Sequence, residues 1–219
     1  MSSPRIEEYL EAIFKIQEET KQPVNISRLA ESLELSVPSA SEMMKKLEQT
    51  NTITYNKQRE VLLTKKGLKQ AQHVVRRHRL AERFLTDYLG LSWDQVHEEA
   101  CLLEHAISPI VEERLAERLG NPETCPHGYP IPGASDSSAI DKVTPLGSLQ
   151  PGDEAKVILI RDEGSDILQY LGKLDLHPEV DVKIMDIAPF GGPITVLINN
   201  KTEAAIGPEL ANKIMVEKN

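Results

Sequence analysis

The ten residues from Val96 to His105, VHEEACLLEH, gather side chains that bind metal. On a helix, His97 and Cys101 are four apart, Cys101 and Glu104 three apart, and Cys101 and His105 four apart, offsets that share one face. A thiolate, a carboxylate and an imidazole converging on one point make a mixed site for a borderline divalent transition metal such as Mn, Fe, Co, Ni or Zn. Two further pairs offer partners: His78 with Glu82, four apart, and Glu8 with Glu11, three apart in an acidic stretch. Each has a bland reading. A His–Glu pair at helical spacing is ordinarily a solvated surface pair, a lone helical Cys is ordinarily a small core residue, and glutamates in a Glu-rich run ordinarily face water. Three helices that each offer ligands point to metal more strongly than any one of them. Catalysis has less behind it. The sequence holds no nucleophile elbow, no phosphate-binding glycine loop and no HExxH. Gly191-Gly192-Pro193 reads as a turn, and the expectation is a protein that is not an enzyme.

These residues need helices to position them, and the hydrophobic pattern supplies helices. Residues 3–19 carry Ile6, Tyr9, Leu10, Ile13 and Phe14 at three-and-four spacing, with Glu7, Glu8, Glu11, Glu18 and Glu19 opposite. After the break at Pro23, Ser27 is expected to cap a short helix, RLAESLEL. Ser36-Val37-Pro38-Ser39 reads as an N-cap followed by proline in the first turn of a third helix running to about Gln49. Helix, turn and helix at this spacing form a helix-turn-helix. Ile53–Tyr55 and Val61–Leu63 have strand character around the polar loop Asn56–Glu60, which makes a wing with Lys57 and Arg59 at its tip. Thr64 opens a long helix to about Leu89, stopped by Gly90. Ser92 caps WDQVHEEACLLEHAI, and Pro109 restarts PIVEERLAERL up to Gly120. These helices carry more apolar positions than one winged domain needs, which predicts a helical dimerisation domain.

Prolines then punctuate the chain from Asn121 to about Pro151, a loop or linker. Glu154–Ile160, Val180–Ile187 and Ile194–Ile198 follow as strands, with a short helix over Gly164–Leu171 between the first two, suiting a small β-barrel. The expected fold class is mainly α with a small β domain. It divides into a winged helix-turn-helix at 1–70, a helical dimerisation and metal-binding domain at 71–120, a Pro-rich loop at 121–146, and an SH3-like domain at 147–219.

The chain has 219 residues and 24.4 kDa, and its mean hydropathy is −0.34. No apolar run approaches the roughly 20 residues of a membrane span. The acidic, amphipathic N-terminus lacks the basic start and apolar core of a signal peptide, so a cytoplasmic location is expected, with no membrane partner. Two cysteines, Cys101 and Cys125, are too few for a disulfide scaffold. The net charge is −9, yet from Ser36 to Gln70 seven cations face three anions. A phosphate backbone responds to the potential within about 8 Å in physiological salt, not to the whole-chain sum, so a basic window in an acidic protein is compatible with reading DNA.

A winged helix followed by HRLAERFLTDYLGL, VHEEACLLEH and NPETCPHGYPIPG resembles the diphtheria toxin repressor family of metal-dependent transcriptional regulators. The last 70 or so residues are similar to that family's SH3-like domain and to small iron-transport accessory domains. The resemblance implies a principal metal site at Cys101, Glu104 and His105, completed from the first helix by Glu8. Glu8 and Glu11 match the acidic pattern of manganese-responsive members, while Cys101 departs from the glutamate found there. Mn(II) is therefore expected, with Fe(II) as the alternative and other divalent metals binding in vitro. An ancillary site maps onto His78, Glu82 and His97, with an intramolecular contact from the SH3-like domain through Glu163 or Asp166. Cys125 and His127 fall in the family's proline-rich loop and are read as loop packing. For DNA, Ser36, Pro38, Ser39 and Ser41 match the recognition helix, Glu42 replaces a glutamine, and Lys45, Lys46, Lys57 and Arg59 would clamp phosphates. Ser39 and Ser41 are equally good helix-start residues.

The function implied is a co-repressor switch. Metal joins the first helix to the dimerisation helix. A homodimer then presents two recognition helices to a palindromic operator, in major grooves about 34 Å apart. Two rivals are a metal storage or delivery protein without specific DNA affinity, and a winged-helix regulator of a small organic effector.

Overall fold

The computed structural model describes residues 3–134, 142–162 and 164–219. It forms two compact units: Met1–His78 with Glu104–Ile107, and Arg79–Leu103 with Ser108–Asn219. The division falls inside two helices.

In the first unit, α1 (Pro4–Thr20) starts with proline behind Ser3 and ends where Lys21 adopts φ 56° and returns its N–H to Gln17 O. α2 (Ile26–Ser32) is capped by Asn25, whose side chain accepts from the Ser27 N–H. The cap thus lies two residues earlier than expected, because Asn25 already has the extended backbone a cap requires. α3 (Val37–Gln49) has the expected cap, Ser36 accepting from the Ser39 N–H, with Pro38 in its first turn. Ala40, Met43, Met44 and Leu47 of α3 join Tyr9, Leu10, Ile13 and Leu29 in one core. β1 (Ile53–Tyr55) and β2 (Val61–Leu63) pair antiparallel from Ile53↔Leu63 to Tyr55↔Val61, the hairpin expected around the polar loop Asn56–Glu60. Asn56 ties the wing by accepting from the Gln58 and Glu60 N–H groups. α4 (Lys65–Asp87) begins after Thr64, whose hydroxyl accepts from the Gly67 N–H. This unit holds α4 through His78.

The second unit holds the rest of α4, most of α5 (Val96–Glu104), and α6 (Pro109–Arg118), which Ser108 caps. α5 starts later than expected. The Ser92 hydroxyl bonds the Gln95 side chain, and residues 92–95 form a turn. The segment expected as a linker is irregular, but 121–134 is packed and not merely solvated. Cys125, His127, Tyr129 and Ile131 are buried. Arg79 donates to Pro130 O at 2.6 Å and Arg83 to Thr124 O at 2.7 Å, so two α4 guanidiniums satisfy carbonyls that a buried loop would otherwise orphan.

The β domain is a six-stranded antiparallel sheet, in order β3 (Thr144–Pro145), β8 (Ile214–Lys218), β4 (Glu154–Ile160), β5 (Asp181–Ile187), β6 (Ile194–Ile198) and β7 (Thr202–Ile206). Register shifts between Val157 and Leu159 and between Ile184 and Asp186 increase its twist. The sheet core takes Leu168 and Leu171 from α7 (Ser165–Lys173) and Ala211 from α8 (Pro208–Ala211).

Candidate metal centres

The first unit brings three ligand groups from three helices together. Glu11 of α1, His78 of α4 and Glu104 at the end of α5 are all buried, and one donor atom from each lies within 4.8 Å of the others. His78 Nδ1 is 2.7 Å from Glu104 Oε2 and 3.8 Å from Glu11 Oε1. His105 extends the cluster, with Nε2 3.2 Å from Glu104 Oε1 and Nδ1 2.9 Å from Glu7 Oε2. Arg77 pairs with the same Glu7 oxygen at 2.9 Å and donates to Ile107 O.

Two buried carboxylates side by side cannot both stay charged without a cation. Burial, helped by the Glu11 charge, pushes the Glu104 carboxyl up to about 7, against the pull of His78. Burial also raises Glu11, but Lys15, at 3.1 Å, and His78 outweigh it and hold that carboxyl well below the usual range. The pair therefore divides into a charged Glu11 and a Glu104 that keeps a proton near neutrality. A divalent cation fits this donor set, since it supplies the charge that the proton now supplies.

Glu8, expected at this centre, is exposed, while Glu7 is buried. The inward face of α1 carries Glu7 and Glu11, four apart, in place of Glu8 and Glu11.

A second cluster lies in the second unit. Glu82 of α4 and Cys125 and His127 of the packed loop are all buried, with donor atoms within 4.8 Å. His127 Nδ1 is 3.3 Å from Glu82 Oε1, and Nε2 is 2.7 Å from Trp93 O. Burial lowers this imidazole's affinity for a second proton, but Cys125 and Glu82 outweigh it and push His127 up to about 11. Here too a proton sits among soft and hard donors. The loop is laid on β4: the Ile160 N–H donates to His127 O at 3.0 Å. Gly128, at φ +91°, packs so closely that an added Cβ would stand 2.0 Å from Ile158 O. His97 approaches Glu82 at 3.8 Å and Cys101 at 3.8 Å.

Cys125 and His127, read from sequence as loop packing, are buried in the packed loop, and they also bring donor atoms to Glu82, a grouping the sequence reading did not propose. Their signal was a Cys-Pro-His run in a chain with two cysteines. Glu163 lies outside the described residues, and Asp166 is exposed in the first turn of α7.

On the winged module, Ser36, Pro38, Glu42, Lys45, Lys46, Lys57 and Arg59 are exposed, and Ser39 and Ser41 are half-buried. The Ser36 and Ser39 hydroxyls lie 2.9 Å apart, and Glu42 pairs with Lys46 at 3.3 Å. No helix among the described residues is long and apolar enough to cross a membrane.

A winged helix, a helical segment rich in buried ligands and a small β-sheet domain together define a metal-responsive DNA-binding regulator. Three family models match in that order. They are the iron dependent repressor N-terminal DNA binding domain over residues 1–61, its metal binding and dimerisation domain over 64–133, and a FeoA domain over 144–218. The chain is 35% identical to the iron-dependent repressor IdeR of Mycobacterium leprae, over 97% of this chain and 96% of that one. It is 32% identical to the diphtheria toxin repressor of Corynebacterium glutamicum, over 97% and 95%. Among solved structures, a manganese-dependent transcriptional repressor in complex with manganese superposes with a TM-score of 0.88 at 32% identity, covering 98% of this chain and all of that one. The T. acidophilum IdeR superposes with a TM-score of 0.78 at 27% identity, covering 100% and 99%. The chain belongs to the diphtheria toxin repressor family, whose members are metal-dependent transcriptional repressors.

Proposed function

We propose that this repressor uses Mn(II) as its co-repressor, bound at Glu11, His78 and Glu104 with His105 beside them, and that the ion closes the winged module onto the helices that carry the other ligands. The observation that carries this is the buried junction itself, in which α1, α4 and α5 each give one ligand atom to a space 4.8 Å across. Carboxylates and imidazole, with no sulfur in the trio, suit manganese. Bound there, the cation would supply the positive charge that lets Glu11 and Glu104 ionise together. Glu11 ties α1 to the junction, His78 ties α4, and Glu104 ties α5. Glu8 is a further ligand if α1 rotates on loading, and Cys101 lies three residues before Glu104.

Glu82, Cys125 and His127 form a second centre of softer character, with His97 and Cys101 at its edge. It gives the SH3-like domain its intramolecular contact with a metal site, through β4. The reading of Fe(II) in place of Mn(II) is favoured by this thiol-bearing cluster and by the relatives named iron-dependent. DNA contact falls to the exposed Lys45, Lys46, Lys57 and Arg59 for phosphates, and to Ser36, Pro38, Ser39, Ser41 and Glu42 at the groove. A carboxylate at position 42 accepts from cytosine. The protein acts as a homodimer, and its α5–α6 surface carries the apolar groups to form one. Leu102 and Ile110 are each 74% exposed, and Val111 and Leu115 line the same shallow cavity as Ile110 on α6.

The test is a mobility-shift titration on genomic fragments with Mn(II), Fe(II) and Zn(II). Sequence-selective shifts at lower Mn(II) than Fe(II) are expected. Shifts that ignore metal would defeat the reading.

A further inference from the structure

Trp93 is the sole tryptophan of the sequence and stands in the turn before α5, outside every ligand set. Its carbonyl, 2.7 Å from His127 Nε2, can only accept. Nε2 therefore carries the proton, and Nδ1 on the other side of the ring faces Glu82 Oε1 at 3.3 Å. The indole also lies 5.8 Å from the imidazole, tilted by 31°. The indole also meets α7, where a Cβ added at Gly172 would stand 3.1 Å from Trp93 Nε1. Trp93 packs against the sheet core as well. Next in sequence, Asp94 accepts from Gln169 Nε2 of α7 at 3.2 Å. The turn is thus held by α7 at two points and gives its carbonyl to the histidine of the second cluster.

We propose that Trp93 is a positioning residue of the second metal centre, seated by Gly172 so that its carbonyl fixes His127 with Nδ1 toward Glu82 and Cys125. The FeoA domain thereby sets the affinity of a centre through contacts that are not ligands. A ligating histidine is ordinarily oriented by a bond from its other nitrogen, and loss of that partner weakens metal binding roughly 10–100-fold. The inference rests on reading Glu82, Cys125 and His127 as a metal centre, and the experiment separates the two.

In a Cys101→Ser background Cys125 is the one remaining thiol, so its thiolate-to-Co(II) charge-transfer band reports this centre alone. Gly172→Ala should weaken Co(II) binding about tenfold by that band, with Mn(II) quenching of Trp93 emission shifted in parallel. Trp93→Phe, which should fold whatever Gly172→Ala does, should weaken it a few-fold. In the double variant the smaller ring makes room for the methyl, so affinity should recover to that of Trp93→Phe alone. A purely structural defect would add to the loss. If His127→Ala leaves the band at full strength, the metal reading falls. If His127→Ala abolishes the band while Gly172→Ala and Trp93→Phe bind Co(II) like the parent, the metal reading stands and the role of Trp93 is overturned.

Discussion

The two clusters answer the same electrostatic problem in opposite ways. Glu11, His78 and Glu104 join three helices, and the excess charge there is negative, so a carboxyl keeps a proton: Glu104 rises to about 7. Glu82, Cys125 and His127 join one helix to a packed loop, and there the imidazole keeps the proton, rising to about 11. A cation entering the first must displace a proton held near neutrality, whereas one entering the second must displace a proton held tightly. At the first, which includes Glu11 from the first helix of the winged module, the proton to be displaced titrates near ordinary pH. The second bears a thiol and is tied to β4 through the Ile160 N–H bond to His127 O.

Glu104→Gln keeps the shape of the first cluster and removes the charge a cation needs. Mn(II)-stimulated DNA affinity should fall by the whole coupling, on the order of 100-fold, by fluorescence anisotropy, with the fold intact by circular dichroism. Retained stimulation would move the switch to the second cluster. His127→Ala should weaken binding at the second centre by at least about 10-fold while leaving most of the Mn(II) response on DNA. An equal loss in both assays would merge the two clusters into one functional site.

The pH dependence sharpens the contrast. Ligands bind metal deprotonated, and the Glu104 carboxyl is raised to about 7. Mn(II) affinity at the first centre should therefore be level above pH 7 and fall as pH drops below it, roughly tenfold per unit for one displaced proton. A flat profile between pH 5.5 and 7 in calorimetric titrations run at ~0.5-unit steps would contradict the shared proton. The smallest effect belongs to the wing. Lys57→Ala should weaken binding to all sequences alike and reduce the salt slope by about 1. A sequence-selective loss would place Lys57 at a base.

Much of this was legible in the residues. Strand character on either side of the polar loop Asn56–Glu60 placed β1 and β2 to the residue, and Ser36 with Pro38 fixed the start of α3, because both signals are local. β7, with the sequence Thr-Glu-Ala-Ala-Ile, and β8, just after α8, were not foreseen. Alanine and glutamate favour no strand on their own, and pairing with β6 and β4 decides the matter. The ligand helices were legible too, but not which α1 glutamate turns inward. Glu7 and Glu8 differ by one position, about 100° of helix, and Arg77 and His105, 70 and 98 residues away, hold Glu7. Cys125 and His127 reach Glu82 through a long-range fold-back, held by Arg79 and Arg83 on the loop's carbonyls and by β4, and the Cys-Pro-His run by itself does not specify that partner.

The claim that metal at the α1–α4–α5 junction governs DNA binding is tested most directly by its reciprocity. Mn(II) would be titrated calorimetrically into the protein alone and into the protein saturated with a DNA fragment selected in vitro. Coupling must run both ways, so DNA should tighten Mn(II) binding by the factor by which Mn(II) tightens DNA binding, roughly 5–150-fold. An Mn(II) affinity unchanged by the DNA would contradict the account.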